Sequence, residues 1–321
     1  MIDMAKAISV IGVPMWLGQT KFGTSLGPNA IRAAGVNRRL KALTGDVIDM
    51  GNLTIGSREQ RPLDTNLKNL APIAKACEKL ADCVAGVIRK GRFPLVLGGD
   101  HSIAMGTLAG VAQHYSSLGV IWYDAHADIN TPETSPTGNI HGMPLAASMG
   151  YGHPALTKIG GFIGKVKPEN VVFIGVRDID PGEAELIAAK GIKVYTARDV
   201  HRLGIKNVIN EAIEYLSRCD GIHLSFDLDG IDPVVAPGVG TPVPGGISYL
   251  DSLEAVRMLC CTERIVSAEF VEVNSLLDKA DTTAAIAADL VGALFGETGQ
   301  EVPASEPAAA VLSVKTSSIS S

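Results

Sequence analysis

Aromatic side chains make up only 5% of this 321-residue chain, and its five cysteines, Cys77, Cys83, Cys219, Cys260 and Cys261, include no CxxC pair. An odd set at such spacings closes no disulfide framework, so the cysteines are expected to be free thiols in a reducing compartment. No apolar run reaches the ~18 residues that a membrane span needs. The opening MIDMAKAISVIGVP is too short and too weakly basic to read as a secretory signal. Basic excess is also missing: the formal net charge is −6, which gives no electrostatic reason to bind nucleic acid or an anionic membrane. Neither a GxGxxG turn after the first strand nor a GxxxxGK[ST] loop is present, which argues against a nucleotide-binding doubly wound protein. A cytoplasmic location follows as the expectation.

What the chain does have is a rhythm. Short apolar runs rich in β-formers fall at residues 7–13, 46–50, 94–97, 119–123, 171–176, 193–195, 222–226 and 265–271. Most are continuous rather than alternating, as expected where both faces of a sheet are covered. Between them lie stretches of helical period, at residues 28–43, 69–90, 205–217 and 248–260. The first of these opens on Pro28, which suits a first helical turn. Strand alternating with helix predicts an α/β fold: a single three-layer α/β/α domain with a mostly parallel sheet of about eight strands. Residues 1–296 form the expected catalytic domain. Residues 297–321, rich in Ala, Ser, Pro and Glu without periodicity, are expected to be a disordered tail.

In open parallel sheets, ligands bind beyond the carboxyl ends of the strands. The polar clusters sit there: residues 98–102, 124–130, 177–180, 227–232 and 272 each follow one of the apolar runs. In Asp124-Ala-His126-Ala-Asp128 the i, i+2, i+4 spacing would aim three ligand-type side chains one way if strand alternation continues. Asp227-Leu-Asp229 repeats the pattern, and glycines before Asp100 and His101 allow a sharp turn at a third strand exit. A single aspartate after a strand is usually a cap, and Asp100 and Asp232 are read that way. Three such clusters at one sheet edge are a different matter. Four carboxylates and two histidines balance two divalent cations, and an oxygen-rich set with some imidazole suits Mn²⁺. Two such ions ~3.5–4 Å apart can acidify a shared water to hydroxide near neutral pH.

At these residues the chain resembles a known family. Gly-Gly-Asp-His-Ser at 98–102, Asp-Ala-His-Ala-Asp at 124–128 and Ser-Phe-Asp-Leu-Asp-Gly-Ile-Asp-Pro at 225–233 resemble the signature motifs of the ureohydrolases. Residues 128–142, 175–183 and 272–274, with Gly12-Val-Pro14 and Gly18-Gln19, are similar to the arginase branch. The resemblance implies a homo-oligomer, trimer or hexamer, that cleaves L-arginine to L-ornithine and urea by attack of hydroxide held between two Mn²⁺ ions. It implies that His101 and Asp128 hold one ion, His126 and Asp229 the other, with Asp124 and Asp227 bridging. His141 becomes the proton shuttle, and Glu272, with Thr241 nearby, the partner of the guanidinium. Asn130, Ser135, Thr137 and Asn139 would hold the α-carboxylate, and Asp180, with Glu183 close by, the α-amino group. Thr137, Glu269 and Ser275 depart from the family's usual serine, aspartate and proline, which bears on substrate preference rather than reaction class. Agmatinase or formiminoglutamase chemistry on the same scaffold is the nearest alternative. A non-catalytic ureohydrolase-like subunit would need a damaged metal site, and all six ligands are present.

Overall fold

The computed structural model describes residues 7–58 and 66–298. One eight-stranded sheet organises it. The strands are β1 (Ile8–Val13), β2 (Val47–Asn52), β3 (Phe93–Gly98), β4 (Leu118–Tyr123), β5 (Val171–Val176), β6 (Lys193–Thr196), β7 (Gly221–Asp227) and β8 (Ile265–Val271). Their order across the sheet is β2-β1-β3-β8-β7-β4-β5-β6, and every pairing is parallel. All eight expected strands are found, and the sheet is wholly rather than mostly parallel.

The continuous apolar runs arise because both faces are covered. Along β4, Ile121 and Tyr123 enter one core layer with Leu224, Phe226 and Phe270. Their neighbours Val120 and Trp122 enter the other with Phe173 and Val96. The first layer is closed by helices that include Val36–Thr44, Ile205–Tyr215, Tyr249–Cys261 and Thr282–Leu294. The second is closed by Leu70–Arg89, Ala104–Ala112 and Pro144–Met149. Burying a Leu, Ile or Phe side chain contributes roughly 1.5–3 kcal/mol, so two full layers carry most of the stability.

Two local expectations need correction. The helix expected over residues 28–43 is two helices, Gly27–Ala33 and Val36–Thr44, because Gly35 takes φ 92°. That left-handed conformation is cheap only for glycine and ends the first helix. β2 is not covered on both faces: Ile48 and Met50 are exposed on this edge strand. Cys77, Cys83, Cys219 and Cys261 are free thiols. Of the expected tail, residues 299–321 lie outside the described residues, while Glu297 is paired with Arg39 at 3.0 Å. Among the described residues no helix is long and apolar enough to cross a membrane.

β3, β8, β7, β4 and β5 are adjacent in the sheet, so their carboxyl ends form one continuous edge. The five polar clusters leave the sheet along it.

Candidate metal centre and its cleft

Each strand exit is shaped by a hydrogen-bonded turn. Asp100 Oδ1 accepts from Ser102 N at 3.1 Å, Asp124 Oδ1 from His126 N at 2.7 Å, and Asp227 Oδ1 from Asp229 N at 2.8 Å. In all three an aspartate caps the amide two residues on, which is what aspartate favours at a turn. This replaces the expected strand alternation as the reason the side chains converge. β4 stops at Tyr123, and Asp128 sits at φ 52°, far from extended backbone. Glu272, one residue past β8, lies at φ 65°. Non-glycine residues in this region are uncommon and cost on the order of 1 kcal/mol, and they gather at functional sites. The glycines before Asp100 also act differently from expectation. Neither has positive φ, but a Cβ on Gly99 would lie 1.9 Å from Met15 O, so glycine is needed for close approach of two main chains.

The six expected ligands come together. His101, Asp124 and Asp128 form one triplet whose ligand atoms all lie within 4.8 Å, and Asp124, His126 and Asp229 form a second. Asp124 belongs to both. His101 Nδ1 stands 3.1 Å from Asp124 Oδ2, 3.0 Å from Asp128 Oδ2 and 3.2 Å from Asp227 Oδ2. His126 Nδ1 stands 3.2 Å from Asp229 Oδ2. All but His126 are buried.

The hydrogen bonds behind His101 test whether cations fit here. Ser225 Oγ donates to Glu269 Oε1 at 2.8 Å, so its lone pair accepts from His101 Nε2–H, also at 2.8 Å. The proton is thereby placed on Nε2, and Nδ1 turns a lone pair toward three carboxylates without a hydrogen-bond partner. Lone pair against carboxylate is repulsive. Only a proton or a cation at that position resolves it. Titration shows the same conflict. Burial, then the charge of Asp124, lifts Asp128 to about 6. Burial and the neighbouring Asp229 and Asp124 raise Asp227 well above the carboxylate range. Burial opposes charge on His101, yet its contacts with Asp124, Asp128 and Asp227 prevail and raise it well above the imidazole range. The donor set, carboxylate oxygen with two imidazoles, fits divalent ions of the Mn²⁺ type.

Residues outside the six hold them in place; Gln19, Arg177, Ser225 and Glu269 fall in stretches or positions the sequence singles out, but their support of the centre does not show in it. Trp122 Nε1 donates to Asp124 Oδ2 at 2.9 Å, and its ring stacks on His101 with centroids 4.2 Å apart. Arg177 donates to the carbonyls of Asp229 and Val243, both at 2.7 Å, fixing the loop after β7. Gln19 Nε2 donates to Glu272 Oε2 at 2.7 Å. His223 and Ser225 on β7 are in register with Ser267 and Glu269 on β8. A polar stripe inside a covered sheet is the sequence trace of that support. Asp232 accepts from Val234, Gly245 and Gly246 amides, a turn role as expected.

A cleft of about 230 Å³ opens over this centre. His126, Asp128 and Asp227 line its floor, with His141 and Thr241 beside them; Asn130, Ser135, Thr137, Asn139, Asp180 and Glu183 form the outer wall. Ser135 Oγ accepts from Gly138 N at 3.0 Å and Thr137 Oγ1 from Asn139 N at 3.1 Å. Both hydroxyls take a backbone donor, so each O–H stays available to give. Asn130 Nδ2 donates to Asp180 Oδ2 at 2.8 Å, coupling the two ends of the wall. Glu183 lines the cleft but accepts from Ile129 N and Asp180 N, and burial lifts it to about 7. Thr241 donates to Asp229 Oδ2 at 3.0 Å, so it holds one of the expected ligands. Glu272 is buried; its Oε1 accepts from His101 N at 2.9 Å and lies 3.2 Å from His141 Nδ1.

Comparison with known proteins adds an independent line. Residues 6–296 match the family model described as the Arginase family. The chain is 60% identical over 295 residues to the arginase of Bacillus caldovelox, covering 91% of this chain and 99% of that relative. It is 56% identical over 294 residues to the arginase of Bacillus subtilis strain 168, covering 92% and 99%. The solved native structure of the Bacillus caldovelox enzyme superposes with a TM-score of 0.90, over 91% of this chain and 99% of that one.

Proposed function

The chain belongs to the arginase family, and from that premise we propose that it cleaves L-arginine to L-ornithine and urea at a two-ion manganese centre on the sheet edge. It is a hydrolase of that family, acting on linear amidines. The observation that carries the two-ion reading is the shared Asp124: two ligand triplets meet at one carboxylate. His101 and Asp128 would hold one ion, His126 and Asp229 the other, with Asp124 and Asp227 between them. Bound there, the ions supply Lewis acidity that makes water nucleophilic near neutral pH and offset the charge of four buried carboxylates.

The remaining work falls to this chain's own residues. Glu272 accepts charge-assisted hydrogen bonds from a planar guanidinium, with its carboxylate aimed by Gln19 and the His101 amide. His141 delivers a proton to the departing δ-nitrogen, so that ornithine leaves as an amine and the former guanidino carbon leaves as urea. Burial works against charge on His141, but its hydrogen bond to Glu272 and the charge of that carboxylate outweigh it and raise it to about 9. The outer wall selects an amino acid. Ser135 and Thr137 offer O–H donors, with the amides of Asn130 and Asn139, to the α-carboxylate, while Asp180 offers charge to the α-ammonium.

The test is urea release by manganese-loaded protein, comparing kcat/KM for L-arginine and for agmatine, which lacks only the carboxylate. A site built to bond a polar group penalises an analogue without it, by an expected ~100-fold or more here. Metal analysis of the active protein should approach two divalent ions per chain. Equal values for the two substrates, or a preference for agmatine, would overturn the substrate assignment and leave the hydrolase standing. Full activity with no metal detected would overturn the two-ion centre.

A further inference from the structure

The cleft has a charge problem at its outer end. Asp178, Asp180 and Glu183 line it there, with Asp128 and Asp227 on the floor beyond, and among the described residues no lysine or arginine lines the cleft. Neutral hydroxyl and amide donors orient a carboxylate, but they do little against the repulsion of that many acids. The answer stands just behind the wall, in the segment leading to the helix Leu70–Arg89. Lys68 Nζ donates to Asn139 Oδ1 at 3.1 Å, and Lys68 N donates to Gly138 O at 3.0 Å. The next residue, Asn69, is buried at φ 58° and donates through Nδ2 to Leu17 O at 2.8 Å. The lysine is thus clamped to the wall by its main chain and anchored by its neighbour, and its own side chain is half-buried.

We propose that Lys68 is a specificity-determining positioning residue, which acts through Asn139 and gives the outer cleft its preference for substrates that carry a carboxylate. This rests on the reading of residues 130–139 as the carboxylate end. The ammonium does two things there. It occupies Asn139 Oδ1, so the amide group left for the cleft is the Nδ2 donor pair. It also places a full positive charge one side chain behind the wall and polarises that amide, which strengthens it as a donor. The guanidino end is assigned to Glu272, whose partners are Gln19, His101 and His141 rather than Lys68.

Lys68→Met keeps the aliphatic stem and the main-chain clamp while removing the charge. Its KM for L-arginine should rise about tenfold, as expected for losing a half-buried charge-assisted contact, with kcat little changed. Agmatine has no carboxylate to lose, so its KM should move by less than about twofold. Lys68→Arg should recover most of the arginine affinity. Added salt should raise the KM for arginine in the wild type more than in Lys68→Met, because only the former has that charge to screen. A general structural defect would lower both substrates together and leave the salt response alone. Equal losses on arginine and agmatine, or an unchanged KM for arginine in Lys68→Met, would overturn the inference while wild-type arginine preference still stands. A wild type that prefers agmatine would overturn the substrate reading beneath it, and the inference with it.

Discussion

Ser225→Ala removes one oxygen atom from the centre of the sheet, and its cost can be worked from the structure. Ser225 is buried between His101 Nε2 and Glu269 Oε1, at 2.8 Å from each. Without the hydroxyl, the His101 N–H loses its acceptor; a buried donor left unmade costs roughly 1–3 kcal/mol. Glu269 loses one donor to a charged oxygen, nominally ~1.5–3 kcal/mol. His223 Nε2 remains 3.4 Å from that same oxygen, which places the second loss at the lower end. The two losses share one network and do not add fully, so about 3 kcal/mol is expected in metal-free protein. The cavity left is a single oxygen in size and contributes little. Urea unfolding of metal-free protein measures this directly, as a midpoint lower by about 1 M at an unchanged slope of about 3 kcal/mol/M. The metal-free state matters because bound ions stabilise by mass action and would mix affinity with folding. Separately, metal affinity should weaken about 10–100-fold, since the tautomer of His101 is no longer set. A metal-free loss below ~0.5 kcal/mol would refute the reasoning: the hydroxyl would then not be bridging two buried groups.

Two further predictions follow from the centre itself. Asp229→Ala should lose an ion and most activity, whereas His141→Asn should keep both ions and lose rate by about 10²–10⁴-fold through proton transfer; metal analysis beside kcat separates the two, and an empty centre in His141→Asn would sink the division of roles. Metal-free protein should lose stability as pH rises above 6.5: His101, His126 and His141 are all raised from that value in the fold, so the folded state binds more protons than the unfolded chain there, and stability present below 6.5 drains away as pH climbs toward the folded values. Melting temperatures from pH 6.5 to 9 check this, with metal-loaded protein flatter across the same range because cations replace the protons; a metal-free profile that is flat or rising would contradict it.

The fold was legible to the extent that burial is two-sided. β3, β4, β5, β7 and β8 are covered on both faces, and an unbroken apolar run is the sequence trace of that environment. The trace fails at β2, an edge strand with Ile48 and Met50 exposed, and at Gly35, where apolar spacing runs on through a left-handed residue that ends a helix. Spacing alone says nothing about the sign of φ. At the site, the ligand types were legible because aspartate and histidine at strand exits are few and cluster. Their means of convergence was not, since a hydrogen bond from an aspartate oxygen to the amide two residues on leaves no mark beyond the aspartate itself. The supports were hidden for another reason. Trp122 in an apolar strand reads as core, and it is core; its indole N–H becomes visible as a partner of Asp124 only once the turn after β4 is in place.

The supports also explain how so much like charge can be held at one edge. Asp124, Asp227 and Asp229 each give one oxygen to a backbone amide: those of His126, Asp229 and Ala125. That bond fixes the carboxylate plane and leaves the other oxygen facing the histidines. Trp122 and Thr241 then hold the inward oxygens of Asp124 and Asp229 at 2.9 and 3.0 Å. The proposed ligands are therefore positioned by bonds that owe nothing to a bound ion, and little reorganisation would accompany binding, which is the condition for affinity from preorganisation. The same bonds leave the repulsion at His101 Nδ1 unrelieved by any protein donor. A centre made rigid by backbone amides yet left with facing lone pairs calls for something positive among them, a proton or, on the proposed reading, an ion, so folding and ion binding at this edge would be linked through one histidine whose tautomer Ser225 sets.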